Sequence, residues 1–407
     1  MWELIQSNRR KSIFIFIGMG VLLILIGFVF GSFYAGDTGG YAGIFFAIII
    51  WSILTIVSYF AGSNILLSIS GAKEITKEIH PQLYNVVEEM RIAASLPAMP
   101  KIYVITDPAP NAFATGIRPE NSAIAVTAGL LGTLNRDELQ GVIAHETSHI
   151  LNRDILLMTF AGMMLGAITL MADLFGRSLW FGGGSRYRSK SDRGGQGQVI
   201  VMVVAIALAI LGPIMAQLLY FAISRRREYL ADASAVRLTR YPEGLASALE
   251  KIASSSYDLK TANKVTAPMY IVNPLKKKGM QIANLTSTHP PITERIRILR
   301  SMQQGVNYKN YQNAFDTVKG KHSILIPQSG LTEAGIIVFR QSSTETKPVE
   351  TLADNKREVG NLIMKLNNFT FIDCSCGIKI KVPPDYKDNT ITCPRCGKIH
   401  TLSYYNK

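Results

Sequence analysis

Two histidines four residues apart, His145 and His149, with Glu146 after the first, are the residues best placed to do chemistry in this 407-residue chain. They lie in the run 137–154, whose apolar residues at 139, 142, 143, 150 and 151 recur at helical spacing. Residues four apart share a helix face, so both imidazoles can converge on one metal ion while Glu146 faces the same pocket without ligating. That layout suits hydrolysis. Two neutral imidazoles hold Zn²⁺, which brings the pKa of a water to about 7, and the carboxylate takes the proton. The competing reading is two unrelated histidines on a solvated or core helix. A third ligand elsewhere in the chain separates the two.

Glu228 and Asp232, also four apart on a helical pattern, supply that ligand. A Glu completes two His as a catalytic zinc site and leaves the fourth position for water. Asp232, one turn on, can accept the remaining ring N–H of a ligand histidine and fix its tautomer. Alone, the same pair would be a charged helix face at the headgroups, with Arg225, Arg226 and Arg227 snorkelling. The upstream histidines favour the metal.

The elements that position these groups alternate between apolar and soluble. Hydrophobic residues make up 48% of the chain and charged ones only 18%, which points to a membrane protein. Uncharged runs at 13–33 and 43–69 are long enough to cross a bilayer, the first as an uncleaved anchor. Run 155–172, interrupted by Asp173, is a span or a buried hairpin, and 194–224 is a fourth span kinked at Pro213. Arg9, Arg10 and Lys11 before the first span, and Lys73 and Lys77 after the second, place those flanks in the cytoplasm. The Arg/Lys-bearing loop 182–195 conflicts with that rule if all four segments cross. Net charge is +14, yet no dense basic stripe with interleaved aromatics supports nucleic-acid binding, so none is expected. Periodicity predicts a helix over 74–99 and strands at 101–106, 111–116 and 122–127, a small sheet ahead of the metal helix.

Together these motifs resemble the HtpX-type membrane zinc metalloproteases, relatives of the endoprotease that trims prenylated proteins. The resemblance is carried by His145-Glu146-x-x-His149 with Asn152 and Asp154, and by Ser224-Arg225-x-x-Glu228-Tyr229-x-Ala231-Asp232. Asn111-Ala112-Phe113-Ala114-Thr115-Gly116, and Thr288-His289-Pro290-Pro291 with Arg295, match as well, in an order that covers roughly residues 1–300. It implies an α+β membrane protein with up to four transmembrane helices and a gluzincin-like protease domain. It also implies catalytic zinc on His145, His149 and Glu228, Glu146 as general base and Asp232 behind the ligands. Asn111, Ala112, Phe113 and Arg295 would then bind substrate, and His289 would steady the oxyanion. The other reading of His289 is a cap before the turn and helix that follow. Arg153 stands where such proteins often carry Gly, a departure expected to be tolerated on an exposed helix face.

Residues 301–370 are harder to read, with strand-like runs at 323–327 and 335–339, a polar linker at 341–350 and a helix at 352–366. Beyond them Cys374, Cys376, Cys393 and Cys396 form two short pairs on Gly-bearing turns, the pattern of a four-thiolate structural zinc ribbon. Two disulfides are the alternative, and they need an oxidising compartment. The division expected is 1–72 membrane helices, 73–154 and 225–300 the halves of the catalytic domain, 155–224 a helix pair, 301–370 a connecting region and 371–407 the ribbon. The function expected is endopeptidase action on membrane or misfolded proteins at the cytoplasmic face of a bacterial-type inner membrane, a quality-control role. Its partners are protein substrates, the bilayer and whatever docks on the ribbon. An intramembrane site-two-type protease fits less well, because charged residues flank the helix and the ligand is Glu. A scaffold with a latent protease site is the non-enzyme alternative.

Overall fold

A computed structural model of the chain describes residues 2–182, 225–257, 269–272, 290–302, 305–320, 337–343 and 352–402, with short pieces between them. The fourth expected span at 194–224 and the basic loop before it lie almost wholly outside the described residues.

Helix α1, Trp2–Phe60, carries two apolar stretches long enough to cross a membrane, Phe16–Phe33 and Thr38–Phe60. Its two arms lie back to back. A Cβ on Gly31 would sit 2.1 Å from the Gly39 carbonyl oxygen, and one on Gly27 would sit 2.6 Å from that of Gly43, so glycine is what permits the approach. The second span ends earlier than its uncharged run suggests. The helix breaks at Ala61, and α2, Gly62–Ile69, buries Leu66 and Leu67 against the sheet.

The sheet has the order β1-β2-β4-β3, from β1 (Ala72–Glu74), β2 (Lys101–Ile105), β3 (Ala112–Gly116) and β4 (Ser122–Thr127). β2 and β4 run parallel, the other neighbours antiparallel, and β3 is an edge. The helix expected over 74–99 is shorter, because Glu74 pairs with Tyr103 in the sheet. Helix α3, Pro81–Ala93, starts where proline suits the first turn and His80 Nδ1 accepts from the Leu83 N–H at 3.1 Å.

After α4 (Ala128–Thr133) comes the central helix α5, Arg136–Leu151. A capping box opens it: Asn135 Oδ1 accepts from the Glu138 N–H at 2.9 Å, and Glu138 Oε2 accepts from the Asn135 N–H at 2.8 Å. Its apolar residues recur at the spacing of an amphipathic helix, yet every residue from 137 to 150 is buried, the polar ones included. Its apolar face joins β4 and α8 (Pro242–Ser254) in the main core. The polar face is buried by α7, residues 225–239, and carries the chemistry.

The helix ends at Leu151, short of the expected Asp154. Arg153 has φ 60°, a left-handed conformation that costs an L-residue about 1 kcal/mol and that glycine adopts freely. That accounts for the glycine expected there; Arg153 is exposed on a turn, not on a helix face. Helix α6, Asp154–Gly182, then leaves at 86° and runs straight through Asp173. Its Phe160, Met164, Leu165 and Ile168 pack against Met19, Leu23 and Ile26 of α1, so it belongs to the membrane bundle.

Past α9 (Ile292–Arg300), α10 (Tyr308–Lys319) and the short α11 (Gln328–Leu331), the chain returns to the first turn of α5. Neither expected strand forms among the described residues of 323–327 and 335–339. Leu325 and Ile326 are buried with both N–H groups donating to Gln312 Oε1 at 3.0 Å, so α10 takes their pairing. Arg340 donates to Asp137 Oδ1 at 2.7 Å and the Ser343 N–H to Asp137 Oδ2 at 2.8 Å, tying this segment to the first turn of α5. Helix α12, Leu352–Leu366, has the expected bounds and leads to hairpins β5–β6 (Thr370–Asp373, Lys379–Val382) and β7–β8 (Thr390–Thr392, Ile399–Thr401). Arg153→Gly should relieve the left-handed residue and raise stability by about 1 kcal/mol, seen as a higher thermal midpoint of detergent-purified protein.

Candidate active site

The site is assembled where the polar face of α5 meets α7. His145, His149, Glu228 and Asp232 are all at most 2% exposed. The two Nε2 atoms face each other at 3.2 Å, and the Glu228 carboxylate lies 3.5 Å from His145 Nε2 and 3.6 Å from His149 Nε2. One ligand atom from each of His145, His149 and Glu228 falls within 4.8 Å of the others. Tetrahedral zinc with bonds of about 2.0–2.1 Å sets its ligands about 3.3 Å apart, which the observed spacing meets closely.

Each imidazole is held from behind. His145 Nδ1 is 2.9 Å from Asp232 Oδ1, and His149 Nδ1 is 3.3 Å from Asp154 Oδ2, so both rings turn Nε2 toward the shared centre. Asp232 is gripped in turn by Arg295, whose Nε and Nη2 donate to the two carboxylate oxygens at 2.8 and 2.7 Å. The same guanidinium lies 3.4 Å from Glu228 Oε2 and donates to the Ile271 carbonyl at 3.3 Å. Arg295, expected with the substrate-binding residues, is therefore fully buried behind the histidines.

Burial opposes charge on His145, but its hydrogen bonds to Asp232 and Glu228 more than offset that and carry the metal-free imidazole to about 9. Asp232 goes the other way: burial raises its pKa, yet the Arg295 charge and the His145 contact hold it below the usual carboxylate range. Burial pushes Glu146 up, against the two histidines and a bond from the Ala114 backbone. Glu146 is 1% exposed, and its Oε2 has no hydrogen-bond partner among the described residues. A buried carboxylate oxygen without a partner is costly unless something polar meets it there.

Asn111, just before the edge strand β3, and Ala112 and Phe113 at its start sit beside this centre and are buried. Phe113 packs its ring edge-on against Tyr270 at 5.1 Å. His289 lies outside the described residues. Asp154 carried no role in the sequence reading, because it orients His149 across a helix break that no helical period registers.

Residues 78–303 match the family model described as Peptidase family M48. The chain belongs to peptidase family M48. It is 48% identical over 301 residues to a protease HtpX homolog of Dictyoglomus turgidum, covering 74% of this chain and 94% of that protein. It is 41% identical over 302 residues to a protease HtpX homolog of Streptococcus gordonii, covering 74% of this chain and all of that protein. A looser likeness, TM-score 0.37 at 23% identity, is to the crystal structure of S. mikatae Ste24p, over 74% of this chain and 67% of that one. With its apolar helices, this M48 protein is an HtpX-type membrane metalloprotease, a peptide-bond hydrolase integral to the membrane.

A second cluster lies past the family match. Cys374 Sγ is 3.5 Å from Cys396 Sγ and Cys376 Sγ is 3.6 Å from Cys393 Sγ, with all four thiols free and within 4.8 Å. The turns that present them close on Gly377 and Gly397, at φ 83° and 72°. Arg295→Met should leave Asp232 and Glu228 buried without their cation and cost about 3–5 kcal/mol, read as a fall in thermal midpoint that Arg295→Lys partly restores.

Proposed function

We propose that this M48 protein is a zinc-dependent endopeptidase acting on membrane or misfolded proteins at the cytoplasmic face, in protein quality control. The observation that carries the reading is the meeting of His145, His149 and Glu228 beside a buried Glu146 oxygen that has no protein partner among the described residues. Bound zinc supplies Lewis acidity for the scissile carbonyl and activates a water. His145, His149 and Glu228 hold the ion, while Asp232 and Asp154 keep both imidazoles in the tautomer that offers Nε2. Glu146 takes the proton from the attacking water and delivers it to the leaving amine, a transfer its raised pKa assists. β3, the last strand of the sheet and next to Glu146, pairs with an extended substrate. His289 remains the proposed oxyanion donor.

The basic flanks of α1 support the orientation. The four-cysteine cluster reads as a structural zinc ribbon: thiolate zinc has bonds of about 2.3 Å, which sets tetrahedral sulfurs about 3.8 Å apart. A closed site of this kind does no hydrolysis and offers a dock for substrate or partner. The domain division proposed is that of the sequence reading, with residues 304–407 added beyond the family match.

Detergent-purified protein should cleave unfolded casein, lose that activity to a chelator and regain it with zinc. Glu146→Gln should keep its zinc and lose hydrolysis; activity at the wild-type level in that variant overturns the role. Metal analysis should return about two zinc per chain, falling to about one in Cys374→Ser/Cys393→Ser. Asp154→Ala should weaken zinc binding by roughly 10–100-fold in a competition titration while leaving the fold intact.

A further inference from the structure

The outer edge of β3 is already occupied by the chain itself. The Asn111 carbonyl accepts from the Thr127 N–H, so strand alternation turns the backbone groups of Ala112 and Ala114 away from β4, toward the open edge. There the Ile271 N–H donates to the Ala112 carbonyl at 2.9 Å. The Asn111 side chain then pairs with Val272 at two points: its Nδ2 donates to the Val272 carbonyl at 2.8 Å, and its Oδ1 accepts from the Val272 N–H at 3.3 Å. Residue 271 stands opposite 112 and 272 opposite 111, so the chain at 271–272 runs antiparallel to β3, with a bent backbone held by one main-chain bond and the Asn111 side chain.

Its placement is stitched to the metal centre as well as to the sheet. Arg295 donates to the Ile271 carbonyl with the same guanidinium that grips Asp232 behind His145. Ile271 is 2% exposed in the core that holds Ala112 and Ala114, while Tyr270 is fully buried on the other face with Phe113, Leu66 and Leu67. Tyr270 and Ile271 thus take opposite faces of the sheet, the two faces that neighbouring side chains of a peptide paired with this edge would take. Val272, half-buried, marks the outer end of the described segment.

We propose that residues 269–272 are an intramolecular occupant of the substrate strand's place, so that the folded chain is self-occluded and another polypeptide pairs with β3 only when this segment yields. The inference rests on the reading of β3 as the substrate strand. The intramolecular segment competes at high effective concentration, so substrates that enter must bring more than one or two backbone hydrogen bonds. An extended, apolar, unfolded stretch meets that demand.

The test weakens the segment without touching β3, the metal ligands or Glu146. Val272→Pro deletes the N–H that Asn111 accepts, and Val272→Gly keeps that N–H but loosens the backbone. Two readouts are taken on full-length detergent-purified protein with zinc: initial rates of casein cleavage, and affinity for a fluorescein-labelled peptide of residues 266–275 measured in the Glu146→Gln background. Both should rise about three- to tenfold in Val272→Pro, the effect of one net hydrogen bond, and in the same direction but less in Val272→Gly. The unlabelled peptide should inhibit Val272→Pro more strongly than wild type. Casein cleaved equally by all chains, with unchanged peptide affinity, overturns the self-occlusion and leaves the peptidase reading standing. A rise in peptide affinity with no cleavage by any chain supports the occlusion and overturns the peptidase reading. No cleavage and no rise overturns both.

Discussion

A fully buried Asp232 between an imidazole and a guanidinium is the interaction on which the rest of the catalytic core depends. Isolated charges are expensive inside a protein, and this one is tolerated because Arg295 takes both of its oxygens and His145 meets one of them. The requirement spreads outward. Arg295 must arrive from α9, His145 from α5 and Asp232 from α7, so three helices distant in sequence are forced into one packing arrangement. Glu228 is drawn in by the same guanidinium, which sets its carboxylate beside both imidazoles.

The site was legible where chemistry is written in local spacing. His145 and His149, and Glu228 and Asp232, each lie four apart, and a helix converts that spacing into a shared face without help from the rest of the fold. The β3 and β4 strands were legible for the same reason, since alternation is a local property. What stayed hidden depended on breaks and on distant partners. The turn at Arg153 brings Asp154 under His149 by interrupting the periodicity that a sequence reading follows. Glu74 was assigned to a helix because its neighbours have helical spacing, yet pairing with β2 decided its conformation. Leu325 and Ile326 lie in an apolar, strand-like run but donate both N–H groups to one glutamine side chain. Segment 269–272 carries no motif at all, and only the edge of β3 gives it meaning.

The chain beyond residue 303 adds to the M48 core without standing apart from it. Arg340 and Ser343 bind the first turn of α5 through Asp137, and Lys73 reaches the end of α12 through the Leu366 carbonyl at 3.2 Å. Residues 340–343 are thereby tied to the site-bearing helix, and α12 to β1 of the sheet.

The elbow between α5 and α6 has a consequence for where this protein works. Asp154 is at once the group that orients His149 and the first residue of a helix packed, from Leu157 onward, into the apolar bundle. Three residues of helix span about 4.5 Å, so the metal centre hangs within a single turn of the bundle's mouth. The elbow is a tether: it holds the histidine pair beside the apolar bundle, and any shift of α6 there reaches His149 through Asp154.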